Sequence, residues 1–242
     1  MELINKKENQ VTFKAEISDS LANAIRRYVF HIPILAVEEI EVISNDSPLY
    51  DEILAHRIGL IPLKINGALT DKTEIILKLE KDKEGYVYSK ELVDDSGKVS
   101  IVYNNMPITF LNKGNKLKIK AFARAGIGKE HSKFSPGIIF YREIFNVKLP
   151  KDCPLEIIES CPKGVFEEKN GKVVIKDSFK CDFCEECITF CQRNNLEEIK
   201  IEPTNELLIT VESFGQISCK EIFTKSIDLL KKDLNAVSKA LK

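Results

Sequence analysis

A chain of 242 residues, 43% hydrophobic and 30% charged, has a globular composition with room for one or two cores. Its 36 Lys and Arg against 37 Asp and Glu leave a net charge of −1, without the basic excess that displaces counterions from nucleic acid, so direct nucleic-acid contact is not expected. No apolar run nears the roughly 18 residues that span a bilayer, and Met1 to Gln10 is polar; the expectation is a cytoplasmic protein without membrane contact, whose seven cysteines serve metal or cluster ligation before disulfides.

Val11, Phe13, Ala15 and Ile17 alternate with polar residues and predict a half-buried strand. Ser18, Asp19 and Ser20 offer N-caps for a helix with one apolar face, Leu21, Ala24, Ile25, Tyr28, Val29 and Ile32. Pro33 stops it, because proline cannot continue the hydrogen-bond ladder. Ala36 to Ile43 is again strand-like. From Asn45 to Pro62 breakers dominate and an irregular segment is expected. Segments 73–79, 99–103 and 116–123 alternate as strands, with Lys81 to Gly85 and Asp94 to Lys98 as hairpin turns, so 45–145 predicts a mostly β module. Pro150 to Arg193 holds six of the seven cysteines and reads as a separate small domain. Leu207 to Val211 predicts a strand and about 217–241 a long helix. There Phe223, Ile227, Leu230, Leu234, Val237 and Leu241 step by 4, 3, 4, 3, 4, a heptad seam.

Cys181, Cys184 and Cys187 form C-x2-C-x2-C, Cys191 follows, and Cys161 lies upstream with Pro162 after it. Three thiolates at this pitch with a distant Cys-Pro suit an iron–sulfur cluster on Cys161, Cys181, Cys184 and Cys187. A zinc site more often uses two C-x2-C pairs, and plain buried thiols are the bland alternative. Asp182, Glu185 and Glu186 read as a solvated acidic rim. Over 153–193 the pattern resembles bacterial-type ferredoxins in a single-cluster version, since the second cysteine triple is absent and Cys191 precedes Gln192 rather than proline. That resemblance implies one cluster, with 4Fe–4S favoured over 3Fe–4S. It also implies that Cys153 and Cys191, spared by loss of a second cluster, can form a disulfide. The alternative is two buried thiols that never meet. Cys219 is expected to be an ordinary core residue.

Asn23 to Arg27, then Ile32 to Val37, resemble the opening of α-type subunits of multisubunit RNA polymerases. Asp51-Glu52-Ile53-Leu54-Ala55-His56-Arg57-Ile58-Gly59-Leu60-Ile61-Pro62-Leu63 and Ala125 to Pro136 are similar to segments of that family, and the cysteine-rich insertion points to its archaeal, D-type branch. The resemblance implies an α+β fold. A discontinuous dimerisation domain, 1–44 plus 201–242, would carry an inserted β-rich domain, 45–149, and a ferredoxin-like cluster domain, 150–200. It implies heterodimerisation with subunit L, assembly with small subunits N and P, and docking of the large subunits, where nucleotidyl transfer takes place. The expected pairing residues are Leu21, Ile25 and Tyr28 on the first helix and Phe223, Ile227, Leu230, Leu234 and Val237 on the last. Arg26, Arg27 and Arg57 are candidates for intersubunit ion pairs.

The chain itself shows no three-aspartate metal motif, no phosphate loop and no nucleophile elbow, so no catalytic residue is expected. Gly126-Ile127-Gly128 reads as a tight turn. His31 suits a helix end, and His56 and His131 suit backbone hydrogen bonding. The rival reading is a ferredoxin-type electron-transfer protein fused to a partner-binding body, supported by the cysteine motif alone; a free-standing zinc-bearing DNA-binding factor is weakened by the charge balance.

Overall fold

The computed structural model describes residues 1–70 and 73–241. The fold is α+β. A hairpin opens it, β1 (Glu2–Lys6) with β2 (Gln10–Ala15), Leu3 opposite Phe13. Helix α1 (Asp19–Tyr28) starts where the Ser18 hydroxyl accepts from the Leu21 N–H at 3.3 Å, and runs into a single 3-10 turn, Val29–His31, before Pro33. Strand β3 (Ile34–Asn45) and helix α2 (Asp51–Gly59) follow. Then come β4 (Leu63–Ile65), β5 (Glu74–Lys81), β6 (Gly85–Tyr88), β7 (Val93–Asp94), β8 (Val99–Ile101), β9 (Pro107–Leu111), β10 (Leu117–Gly126) and β11 (Gly137–Lys148). The cysteine-rich stretch supplies α3 (Ile157–Ser160), β12 (Phe166–Lys169), β13 (Lys172–Ile175) and α4 (Glu186–Arg193). Strand β14 (Lys200–Ser213) and helix α5 (Cys219–Ala240) end the described chain.

Contacts divide the chain into two compact units, each built from segments distant in sequence. One comprises Met1–Lys7, Val11–Asn23 and Phe140–Thr210. Its sheet has the order β1-β2-β14-β11. Thr12 and Thr210 bridge hydroxyls at 3.0 Å, and Lys14 lies 3.1 Å from Glu2 and 3.4 Å from Glu206. A separate core gathers Val147, Ile157, Val165, Phe166, Cys187, Cys191 and Ile199 in the cysteine-rich stretch.

The other unit comprises Glu8–Gln10, Ala24–Ile139 and the stretch from Val211 onward. Its main sheet runs β3-β10-β5-β7, β10 pairing antiparallel with both neighbours. The alternation in β5 is strict: Ile75, Leu77 and Leu79 are buried while Glu74, Ile76, Lys78 and Glu80 face out. The inward residues join Leu35, Val37, Leu117 and Ile119 in one core. The two expected hairpin turns are corrected by the pairing. Strand β5 bonds to β10 and β7 while β6 bonds to β9, so residues 81–85 link different sheets. Likewise β7 and β8 belong to different sheets, although 94–98 does turn tightly, with Gly97 at φ 67° and the Asp94 carboxylate accepting from Ser96 and Val99.

Helix α2 corrects the expectation of an irregular 45–62. Asp51 and Glu52 sit favourably in its first turn, and Leu54 and Ile58, one turn apart, are fully buried. Tyr50 caps it without a side-chain hydrogen bond, so the usual start signal is missing from the sequence. Arg57, an exposed residue of α2, donates through one Nη to the Pro107 carbonyl at 2.7 Å.

Gly126 and Gly128 are small because neighbours press on them, not because of a left-handed turn. A Cβ at Gly126 would lie 2.7 Å from the Phe134 ring, and one at Gly128 would lie 2.8 Å from the Ser135 hydroxyl. Phe134 is itself 1% exposed, under Arg124 and Lys133, whose charged groups lie 4.9 and 5.2 Å from its ring centre. His131 accepts the Lys133 N–H through Nδ1 at 3.1 Å, a backbone role as expected. A Cβ at Gly137 would collide with the Glu212 backbone carbonyl. We expect Gly137→Ala to destabilise the protein by about 3 kcal/mol, at the upper end of overpacking costs, as a fall in urea midpoint at unchanged slope. A midpoint equal to wild type would refute that packing.

The Ala125 to Pro136 segment is held to β3 by charge. Glu38 lies 2.5 Å from Lys133 and 3.3 Å from Arg124, which also reaches Glu130 at 3.2 Å. The Lys133 ammonium, first, and the Arg124 guanidinium hold the Glu38 carboxyl below its ordinary pKa despite partial burial. The lowered folded-state value means that the stabilisation is fully present above the ordinary glutamate range and disappears as pH falls through the lowered value. Glu38→Gln should therefore cost about 1 kcal/mol at pH 7, with the gap to wild type closing in acid; a gap that persists at pH 2 would contradict it.

Candidate cluster site and pairing surface

The cysteine loop is shaped by its backbone. The Asp177 carboxylate accepts from the Phe179 N–H at 3.0 Å and sets a 3-10 turn, Ser178–Lys180, that delivers Cys181. On either side of Cys184, Phe183 (φ 58°) and Glu185 (φ 60°) adopt the left-handed conformation, which costs an ordinary residue about 1–2 kcal/mol each. The contacts around them hold that geometry. The Phe183 ring stacks on Phe145, centroids 5.0 Å apart at 12°, and Arg142 donates to the Phe179 and Cys181 carbonyls. Helix α4 starts at once, placing Cys187 in its first turn and Cys191 one turn on, both buried. Cys161 caps the end of α3, and its sulfur accepts the Val165 N–H at 3.5 Å.

These elements bring Cys161, Cys181, Cys184 and Cys187 to one cavity, lined also by Val147, Val165, Phe166 and Ile201. Lys163 and Asp182 pair at 3.0 Å at its edge. Burial, then the Asp182 carboxylate and the neighbouring thiols, raise the Cys181 pKa, and burial pushes Cys187 up to about 11. Backbone N–H groups of Phe183 and Ile188 oppose this by bonding the sulfurs. Burial disfavours the thiolate forms, and a bound cationic centre would favour them. Among the described residues no three His, Cys, Asp or Glu side chains converge as ligands of a single ion. Cys184 is the exposed member of the four.

Cys153 and Cys191 share the same small core, and burial followed by the Cys191 charge raises the Cys153 pKa. No bond joins them in this structure. Cys219 is 6% exposed, in the first turn of α5.

On α5 the sequence seam and the face that packs inward are different stripes. Cys219, Ile222 and Ser226 are buried against the helix's own unit. The seam residues Phe223, Ile227 and Leu230 are half-buried, while Leu234 is 60%, Val237 57% and Leu241 83% exposed. On α1, Leu21 is 43% exposed, Ile25 is buried, and Tyr28 donates to Asp233 of α5 at 3.0 Å. Of the expected pairing residues, Ile25 is therefore taken up by the chain's own core, and Leu21, Leu234 and Val237 stand most open. No helix among the described residues is long and apolar enough to cross a membrane.

Residues 39–146 match the family described as RNA polymerase Rpb3/RpoA insert domain, which places the β3-to-β11 region in the class of polymerase α-type subunits. Over most of its length the chain is similar to DNA-directed RNA polymerase subunit Rpo3 of Methanobrevibacter smithii, 30% identical over 86% of this chain and 85% of that protein. The Rpo3 proteins of Archaeoglobus fulgidus (29%, 100% of this chain and 97% of that protein) and Pyrococcus furiosus (31%, 95% and 92%) are similar throughout. The chain belongs to this Rpo3 family of archaeal RNA polymerase subunits.

Proposed function

We propose that the chain is a non-catalytic assembly subunit of a DNA-dependent RNA polymerase, pairing with subunit L and presenting surfaces to small subunits N and P and to the large catalytic subunits. The observation that carries this, beside family membership, is the exposed apolar stripe Leu234, Val237 and Leu241 along α5, which a chain alone in water leaves unburied. A heptad seam with its hydrophobic side open suits a helical partner. Co-expression with subunit L tests it: one complex of the two chains in gel filtration is expected, and two separately eluting chains would contradict the reading.

The second part of the proposal is one iron–sulfur cluster held by Cys161, Cys181, Cys184 and Cys187, of 4Fe–4S type before 3Fe–4S. The donor set fits: four thiols line one cavity, three of them from a single loop and the fourth from the end of α3, with backbone N–H groups bonding the sulfurs. When bound, the cluster would supply a covalent cross-link between segments of modest apolar core, together with a one-electron redox centre. The chain's own residues do the rest. Phe183 anchors the loop by stacking on Phe145, and Arg142 donates to the Phe179 and Cys181 carbonyls. We further propose that Cys153 and Cys191 form a disulfide under oxidising conditions. Mass analysis after blocking free thiols would show the loss of two protons, and full labelling of both cysteines would refute it.

A further inference from the structure

The wall of the cysteine cavity carries charge as well as thiols. Besides the four cysteines and the apolar residues, its lining includes Lys163, Asp182 and Glu185. Lys163 is the one cationic side chain in that lining among the described residues; Arg142, which donates to the Cys181 carbonyl, is not part of it.

Lys163 is held from two sides. Its backbone lies in a turn that starts at Cys161: Pro162 takes the second position, Lys163 the third, and the Gly164 N–H donates to the Cys161 carbonyl at 3.1 Å. Gly164, at φ 61°, turns the chain back so that the Val165 N–H reaches the Cys161 sulfur at 3.5 Å. The ammonium in turn meets the Asp182 carboxylate at 3.0 Å, one residue along from Cys181. The ion pair therefore joins the Cys161 turn to the cysteine loop. Its side chains are 52% and 35% exposed, and a surface pair of this kind adds little to stability. Its place on the cavity wall gives it a different consequence.

Four thiolates gather negative charge at the site, and reduction of a centre bound there adds one electron more. Walls of Val147, Val165, Phe166 and Ile201 screen that charge poorly, so fixed charges at the edge shift the balance between oxidised and reduced forms. We propose that Lys163 eases one-electron reduction of the bound cluster, and that Asp182 holds the ammonium in place while partly cancelling its charge. The proposal rests on the cluster reading above and deepens it. The electron comes from an external one-electron reductant and enters the iron core, and no bond is made or broken at either side chain.

Potentiometric titration of the chain purified anaerobically, followed by EPR, tests it. Lys163→Met should lower the reduction potential and Asp182→Asn should raise it. Each should change the reduction equilibrium about three- to tenfold, which is about 28–59 mV for one electron. The double variant, which removes both charges, should return close to wild type, and roughly 1 M salt should shrink both single shifts by screening. Lys172→Met removes an exposed lysine of β13 outside the cavity and should leave the potential unchanged. The signs decide the matter, because each single variant breaks the same ion pair. A merely structural latch would move both potentials in one direction, whereas a charge effect moves them apart. Shifts of the same sign, or shifts no larger than the Lys172→Met control, would overturn the assignment. A wild-type chain that holds no iron and sulfide after anaerobic purification would instead overturn the cluster reading itself.

Discussion

Leu234→Glu should abolish co-purification with subunit L while leaving the chain folded. Leu234 is 60% exposed in the chain alone, so a glutamate there meets water and costs little by itself. In a paired seam the same position is buried. Losing one leucine's burial removes roughly 1.5–3 kcal/mol, and a carboxylate in its place adds desolvation on top. The combined loss, about 3 kcal/mol or more, lowers affinity on the order of 100-fold. Leu230→Glu should break pairing too, but it is half-buried in the isolated chain, so only Leu234 separates partner loss from misfolding. Circular dichroism matching wild type with L absent from the eluate is the expected pair of results. Intact heterodimer from Leu234→Glu would show that the seam is not the pairing surface.

Cys184→Ser should strip the cluster. A serine oxygen is a harder, more basic donor than a thiolate and serves iron poorly near neutral pH. Because Cys184 is exposed, the substitution leaves no cavity in the core, and any loss of stability in 150–200 is attributable to the missing cluster. Visible absorbance should vanish, iron and sulfide should fall to background, and amide exchange across α3 and α4 should rise. Pairing with L should persist, since the seam lies in the other unit. A variant that keeps its full iron and sulfide would exclude Cys184 from the ligand set.

The sequence was most legible where period and chemistry agreed. The long α5 was readable from its seam, β5 and β10 from strict alternation, and the end of α1 from Pro33. The C-x2-C-x2-C spacing and the Pro162 after Cys161 single out four cysteines, and these line one cavity. Other features left no sequence signal. Helix α2 lacks a side-chain cap, and its buried Leu54 and Ile58 sit among breakers. The seam and the buried stripe of α5 are both periodic, so periodicity alone could not say which faces inward; Ser226, fully buried with its hydroxyl donating to the Phe223 carbonyl at 2.9 Å, reads as polar in sequence. Strand links at 81–85 and 94–98 look like hairpin turns because turn chemistry is local, whereas pairing is set by partners far along the chain.

Residence of this chain in polymerase is decided by quantitative mass spectrometry of complexes purified through an affinity tag on the native protein. We expect the large polymerase subunits and subunit L to be recovered with the tagged chain in near-equal amounts and to stay with it through gel filtration. Recovery of the chain by itself, or with redox enzymes in place of the large polymerase subunits, would contradict it.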